Sequence, residues 1–156
     1  MGKINLKTGI AFLLLFVTQA GCEKNEYEDV LLENIKCPCE QESAFIKTVS
    51  IKSILLFDSK VTSLNEMKTQ TFDGEKSEFV AYSEESKSMV IYSIRTTMSG
   101  ISNVCNIPGK ISDWTIPSTG IVITFKANEY ELCIPLPGTN NTYSNCVLTS
   151  LQRKIK

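Results

Sequence analysis

Apolar and polar positions alternate through most of this chain after an initial apolar block. Ile10 to Val17 (IAFLLLFV) is an uninterrupted apolar run. Between Phe45 and Phe57 the text turns β-branched. Val49, Ile51, Leu55 and Phe57 fall on one face, and Ser50, Lys52 and Leu56 on the other, as a half-buried strand requires. Glu78 to Ser83 and Ser88 to Ile94 read as two strands of a hairpin, joined by the polar Glu84-Glu85-Ser86-Lys87. Ile101 to Cys105 is another short strand before a Pro108-Gly109 corner. Gly120 to Lys126 and Glu129 to Ile134 flank Ala127-Asn128, a predicted two-residue hairpin turn because Asn tolerates positive φ. Cys146 to Leu151 alternates again as a last strand. Helical signals are short: Ser63 to Lys68 behind a Ser cap, and one turn at Lys110 to Trp114. Val30 to Ile35 fits neither period and stays open between a helical turn and a first strand. Asp73-Gly74 marks a turn, and Pro135 to Asn145 a Pro/Gly/Asn loop. Short strands at hairpin spacing predict an all-β fold, a small β-barrel or β-sandwich with one or two helical turns. No period of 20 to 50 residues repeats.

The apolar block belongs to a leader. Lys3 and Lys7 precede it, no acidic residue occurs before Glu23, and small residues close it at Ala20-Gly21-Cys22. A positive start, a short apolar stretch and a small-residue cleavage site are the layout of a secretory signal peptide. A spanning helix needs about 20 apolar residues, far more than this run supplies. Ala20-Gly21-Cys22 resembles a bacterial lipoprotein lipobox, with Gln19 standing where most lipoboxes carry an aliphatic residue. The resemblance implies that residues 1–21 are removed and that Cys22 is acylated, palmitate-type chains anchoring it in a membrane. Ordinary cleavage after Ala20 is the rival reading. Residues 22–36 then form a lipidated cysteine and polar tether, and 37–156 a single domain. The acidic stretch Glu23 to Asp29 also resembles the export signal of Bacteroidetes surface lipoproteins, which implies an outer-membrane location facing the periplasm or the cell surface. Asn103 to Cys133 resembles small uncharacterised lipoproteins of that group and implies an extracytoplasmic β-domain without known catalytic residues.

Composition narrows the chemistry. The leader contributes two of the 16 basic residues and none of the 17 acidic ones, so the mature chain carries 14 against 17. That mildly acidic balance argues against a nucleic-acid partner. There is no histidine, which removes the usual general base and the commonest metal ligand. Neither a Ser-x-x-Lys pair, a Gly-x-Ser-x-Gly elbow nor a P-loop occurs. Glu78, Glu129 and Glu131 are the carboxylates in or beside strands that a two-carboxylate hydrolase would need. Glu129 and Glu131 alternate on one strand and are expected on its solvent side. An enzyme is not expected, nor is a cofactor or resident metal.

Six cysteines remain to be placed. With Cys22 lipidated, Cys37, Cys39, Cys105, Cys133 and Cys146 are five candidate disulfide or metal thiols in a compartment that permits disulfides. Five is odd, so one thiol lacks an intramolecular partner, and Cys37 or Cys39 is the first place to look. Cys105 with Cys133 is the favoured pair, since both end strand-like runs before similar Pro-containing corners. Cys37-Pro38-Cys39 has the spacing to share a soft metal ion, but in an exported chain a structural disulfide is the stronger expectation.

The expected function is a membrane-anchored, non-enzymatic β-domain that binds a macromolecule or ligand at the cell envelope. Trp114, the sole tryptophan, is expected to plug one end of a barrel, with recognition as the alternative. The loops Trp114 to Gly120 and Pro135 to Asn145 are the candidate contacts to a partner. Within the first, Ile116 to Ile121, which includes Pro117, Ser118, Thr119 and Gly120, is expected to be an extended, Pro-stiffened stretch suited to mimic a substrate. A more specific version is therefore inhibition of a secreted cysteine protease. A thiol-based metal-handling protein is the third reading.

Overall fold

The computed structural model describes residues 26–32, 44–96, 98–132 and 141–155. Their elements, in chain order, are β1 (Tyr27–Asp29), β2 (Phe45–Asp58), α1 (Leu64–Thr71), β3 (Lys76–Ser83), β4 (Ser88–Arg95), β5 (Ser99–Val104), a 3-10 turn (Gly109–Asp113), β6 (Ile121–Glu131) and β7 (Asn141–Lys154). Strands neighbour one another in the order β7-β5-β4-β3-β2-β6, and β6 pairs back onto β7. The ring is a closed six-stranded barrel, with β1 added on β7 outside it. Of the small β-barrel or β-sandwich that the alternation predicts, this is the barrel. No strand ends the ring, although β2 meets β3 over Leu55–Asp58 only.

Two neighbouring pairs, β2–β3 and β5–β7, are parallel, and the others are antiparallel. Parallel neighbours need a crossover connection. For β2–β3 the crossover carries α1. Its N-terminus is fixed by a capping box: Ser63 Oγ accepts from Glu66 N–H, and Ser63 N–H donates back to the Glu66 carboxylate at 2.8 Å. Asp73 Oδ1 then accepts from the Glu75 and Lys76 amides, and Gly74 at φ 91° turns the chain into β3.

Local structure departs from the sequence expectation at four places. In β2 the partners on β6 jump from Ile51↔Phe125 to Ile54↔Ile123, an extra residue with Ser53 at φ 60°. The bulge exchanges the two faces of the strand. Ile51, Ile54 and Leu56 pack inward, whereas Leu55 and Phe57, expected on the face of Ile51, pack outward. The predicted hairpin at Ala127-Asn128 does not form. β6 runs straight through it, with Asn128 paired to Thr48 on one side and Val147 on the other. Asn141 to Asn145, expected in a loop, begin β7. Finally Tyr27–Asp29, within the stretch read as a tether, is a strand lying against Gln152 to Lys154.

Two apolar clusters result. The barrel interior is filled by Leu56, Val80, Met89, Ile123, Phe125 and Leu151, each at most 2 % exposed. Outside the barrel, α1 lays Met67 over Phe57 and Phe79. The Phe79 ring meets Phe57 edge-on at 6.2 Å and stacks on Tyr92 at 5.0 Å. Burying each of these side chains contributes about 1.5–3 kcal/mol.

One end of the barrel is capped. The β5–β6 connection sends Ile111 and Ile116 into the core, and half-buried Trp114 packs beside them. The Arg153 guanidinium lies 4.7 Å from the centre of the Trp114 ring, and its Nη2 is 2.5 Å from Glu28 of β1. A cation over an indole face and an ion pair to an added strand pin the cap to the barrel wall.

Candidate functional site

Among the described residues, the opposite end is open. Inward positions there change from apolar to polar along every strand that reaches it. Moving from core to mouth, β2 reads Ile54, Ile51, Val49, Lys47; β4 reads Ile91, Ser93, Arg95; β6 reads Phe125, Ala127, Glu129. These residues enclose a cavity of about 230 Å³. Its floor is Ile51, Ile54, Ile91, Phe125, Ala127 and Cys146, and its rim holds Lys47, Glu78, Ser93, Arg95, Ser102 and Glu129.

Glu129 is the organising group of the rim. Ser102 and Ser144 face each other across the parallel β5–β7 ladder, and both hydroxyls donate to Glu129 Oε1, at 2.9 and 2.6 Å. Lys47 Nζ sits 3.3 Å from Oε2. Burial works against the carboxylate charge, but the Ser144 and Ser102 hydroxyls and the Lys47 ammonium outweigh it. The pKa is lowered from its ordinary 4.5. Glu78, across the mouth, is held similarly, with Lys76 Nζ at 3.2 Å and Ser93 Oγ donating at 3.2 Å.

Cys146 lies opposite Glu129 on β7, is 2 % exposed and is a free thiol. Burial, and then the neighbouring Glu129 charge, push its pKa up to about 12. A thiol held protonated at neutral pH is a poor nucleophile and a poor metal ligand. Cys105 is its neighbour on the ladder, donating its amide to Cys146 O at 2.9 Å. Among the described residues no group of three His, Cys, Asp or Glu side chains is arranged to hold a metal ion. Cys22, Cys37, Cys39 and Cys133 lie outside the described residues.

The second group of candidates is elsewhere. Trp114 to Gly120 belongs to the capped end. Pro117 to Gly120 is a hydrogen-bonded turn, Gly120 N–H to Pro117 O at 2.9 Å, and not an extended segment. Pro117, Ser118 and Thr119 are exposed, yet Ser118 O accepts from both Thr62 Oγ1 and Gln70 Nε2 at 3.1 Å, which ties the turn to α1. Of the Pro135 to Asn145 segment, 135–140 lies outside the described residues.

The solvent-side expectation for Glu129 is overturned: its side chain is only 15 % exposed and points into the mouth, because β6 continues where a turn was expected. Lys47, Ser102, Arg95 and Ser144 were not singled out by sequence. Their shared signal is a polar residue ending each inward row, which becomes visible only once the rows are assigned.

No family model, curated protein or solved structure matches this chain. Among the described residues no helix is long and apolar enough to cross a membrane.

Proposed function

We propose that this chain is a lipid-tethered, non-enzymatic binding domain of the cell envelope whose ligand enters the open end of the barrel. The observation that carries this reading is the cavity itself, an apolar floor beneath a ring of convergent polar groups, the usual composition of a small-molecule site. The mouth charges favour binding over hydrolysis. A general acid needs a carboxyl pKa raised toward neutrality, and Glu129 is shifted the other way. The tether rests on Ala20-Gly21-Cys22 behind the apolar leader. Cys22 taken by lipid and Cys146 buried as a free thiol leave an even set, Cys37, Cys39, Cys105 and Cys133, for two disulfides.

Native mass spectrometry of the full-length product, released from membranes in mild detergent, tests the cavity. A small molecule should accompany the wild-type chain and be absent from Val49→Trp, which fills the mouth. A wild-type cavity that stays empty, and amide resonances at Ala127 and Glu129 that no fragment shifts, would overturn it. Growth with an alkyne fatty acid should label the wild type and spare Cys22→Ser.

A further inference from the structure

We infer that the ligand of the barrel mouth is a small amphiphile with a carboxylate head group seated on Arg95. This rests on reading the mouth as a binding site. The charges lining the cavity are Lys47, Glu78, Arg95 and Glu129. Both carboxylates already have partners, Lys47 for Glu129 and Lys76 for Glu78. Arg95 has no ion pair among the described residues. It ends β4 directly across from Lys76, two positions beyond inward-facing Ser93. A ligand therefore meets two neutralised carboxylates and one uncompensated guanidinium, whose planar fork takes a carboxylate through two parallel hydrogen bonds.

The floor supplies the other half of the specification. Phe125 and Ala127 are 1 % exposed and Ile54 4 %. A wholly polar anion would strand these walls, and a wholly apolar molecule would leave Arg95 unused. A volume near 230 Å³ equals the liquid volume of about eight waters, so the cavity holds a chain of roughly eight heavy atoms. Each methylene that leaves water for the floor should improve affinity about fourfold until the space is full.

Titration calorimetry of the mature chain with octanoate, 1-octanol and octylamine, plus carboxylates of four to twelve carbons, tests the assignment. Octanoate should bind best, and affinity should climb with chain length and level off near eight carbons. Arg95 is exposed, so Arg95→Gln should cost octanoate only about fivefold and leave 1-octanol unchanged. Equal binding of octanoate and 1-octanol would overturn the head-group assignment while leaving the cavity as a binding site. Preference for octylamine would also overturn it, placing the head group on Glu78 and Glu129. If none of the three binds a folded wild-type chain, or Val49→Trp with a wild-type amide spectrum binds all three unchanged, the cavity reading falls as well.

Discussion

Asn106 stands in for a missing piece of strand beside Leu148. Its Nδ2 donates to Leu148 O at 2.8 Å while its Oδ1 accepts from Leu148 N–H at 2.7 Å, and both residues are buried. The position explains the need. β5 accompanies β7 only as far as Cys146, and β1 covers it only from Gln152 onward, with Val30 N–H reaching Leu151 O. Between them the β7 edge away from β6 would be left unpaired. Asn106→Ala should cost about 2–4 kcal/mol in urea unfolding, since it strands a buried amide and carbonyl together. Asn106→Asp keeps the acceptor but sets an oxygen against Leu148 O, and should be no milder at pH 7.

Gly120 answers to two constraints at once. Its φ of 74° is left-handed, and a Cβ there would lie 3.0 Å from both Leu56 O and the Phe57 ring. Gly74, at φ 91°, has open space around it. Gly120→Ala should therefore lower stability clearly more than Gly74→Ala, whose cost is the backbone strain alone, about 1 kcal/mol. Equal midpoints for the two variants would contradict the packing against Leu56 and Phe57.

Glu129 makes stability depend on acid in a defined direction. Its folded pKa lies below the ordinary 4.5. The stabilisation is then complete above the unfolded value and is lost as pH falls through the lowered one. The advantage of wild type over Glu129→Gln in thermal unfolding should be constant from pH 7 to about 5 and shrink on further acidification. An advantage that grew toward low pH would contradict the assigned sign.

Cys146 should be silent to thiol reagents in the folded chain. With its pKa near 12 and its side chain buried, alkylation at pH 7.5 should be far slower than in denaturant. Without reductant, the denatured mature chain should then release one thiol, with Cys37, Cys39, Cys105 and Cys133 held as disulfides. Free thiols at Cys37 and Cys39 carrying copper or zinc would favour soft-metal capture instead.

The all-β class was legible because alternation at hairpin spacing marks half-buried strands, and β3, β4, α1 and the 3-10 turn sit where the pattern puts them. The mouth was not legible, for two local reasons. The extra residue at Ser53 leaves no trace in a hydrophobic pattern, yet it decides which half of β2 faces inward. Ala127-Asn128 looks like a turn by composition, but pairing with β2 on one side and β7 on the other overrides that preference. Closure of β6 onto β7 is a long-range fact that no window of sequence contains, and without it there is no interior for Ser102, Ser144 and Glu129 to share.

β1 enters the sheet at Tyr27, opposite Lys154, at the Trp114 end of the barrel. Five peptide steps separate Tyr27 from Cys22, about 18 Å at full stretch. A lipid on Cys22, as proposed above, would moor the barrel base-down, with its mouth turned away from the bilayer. So moored, it would be an upright cup facing the aqueous side, and whatever filled it would arrive already dissolved or be handed over by another molecule.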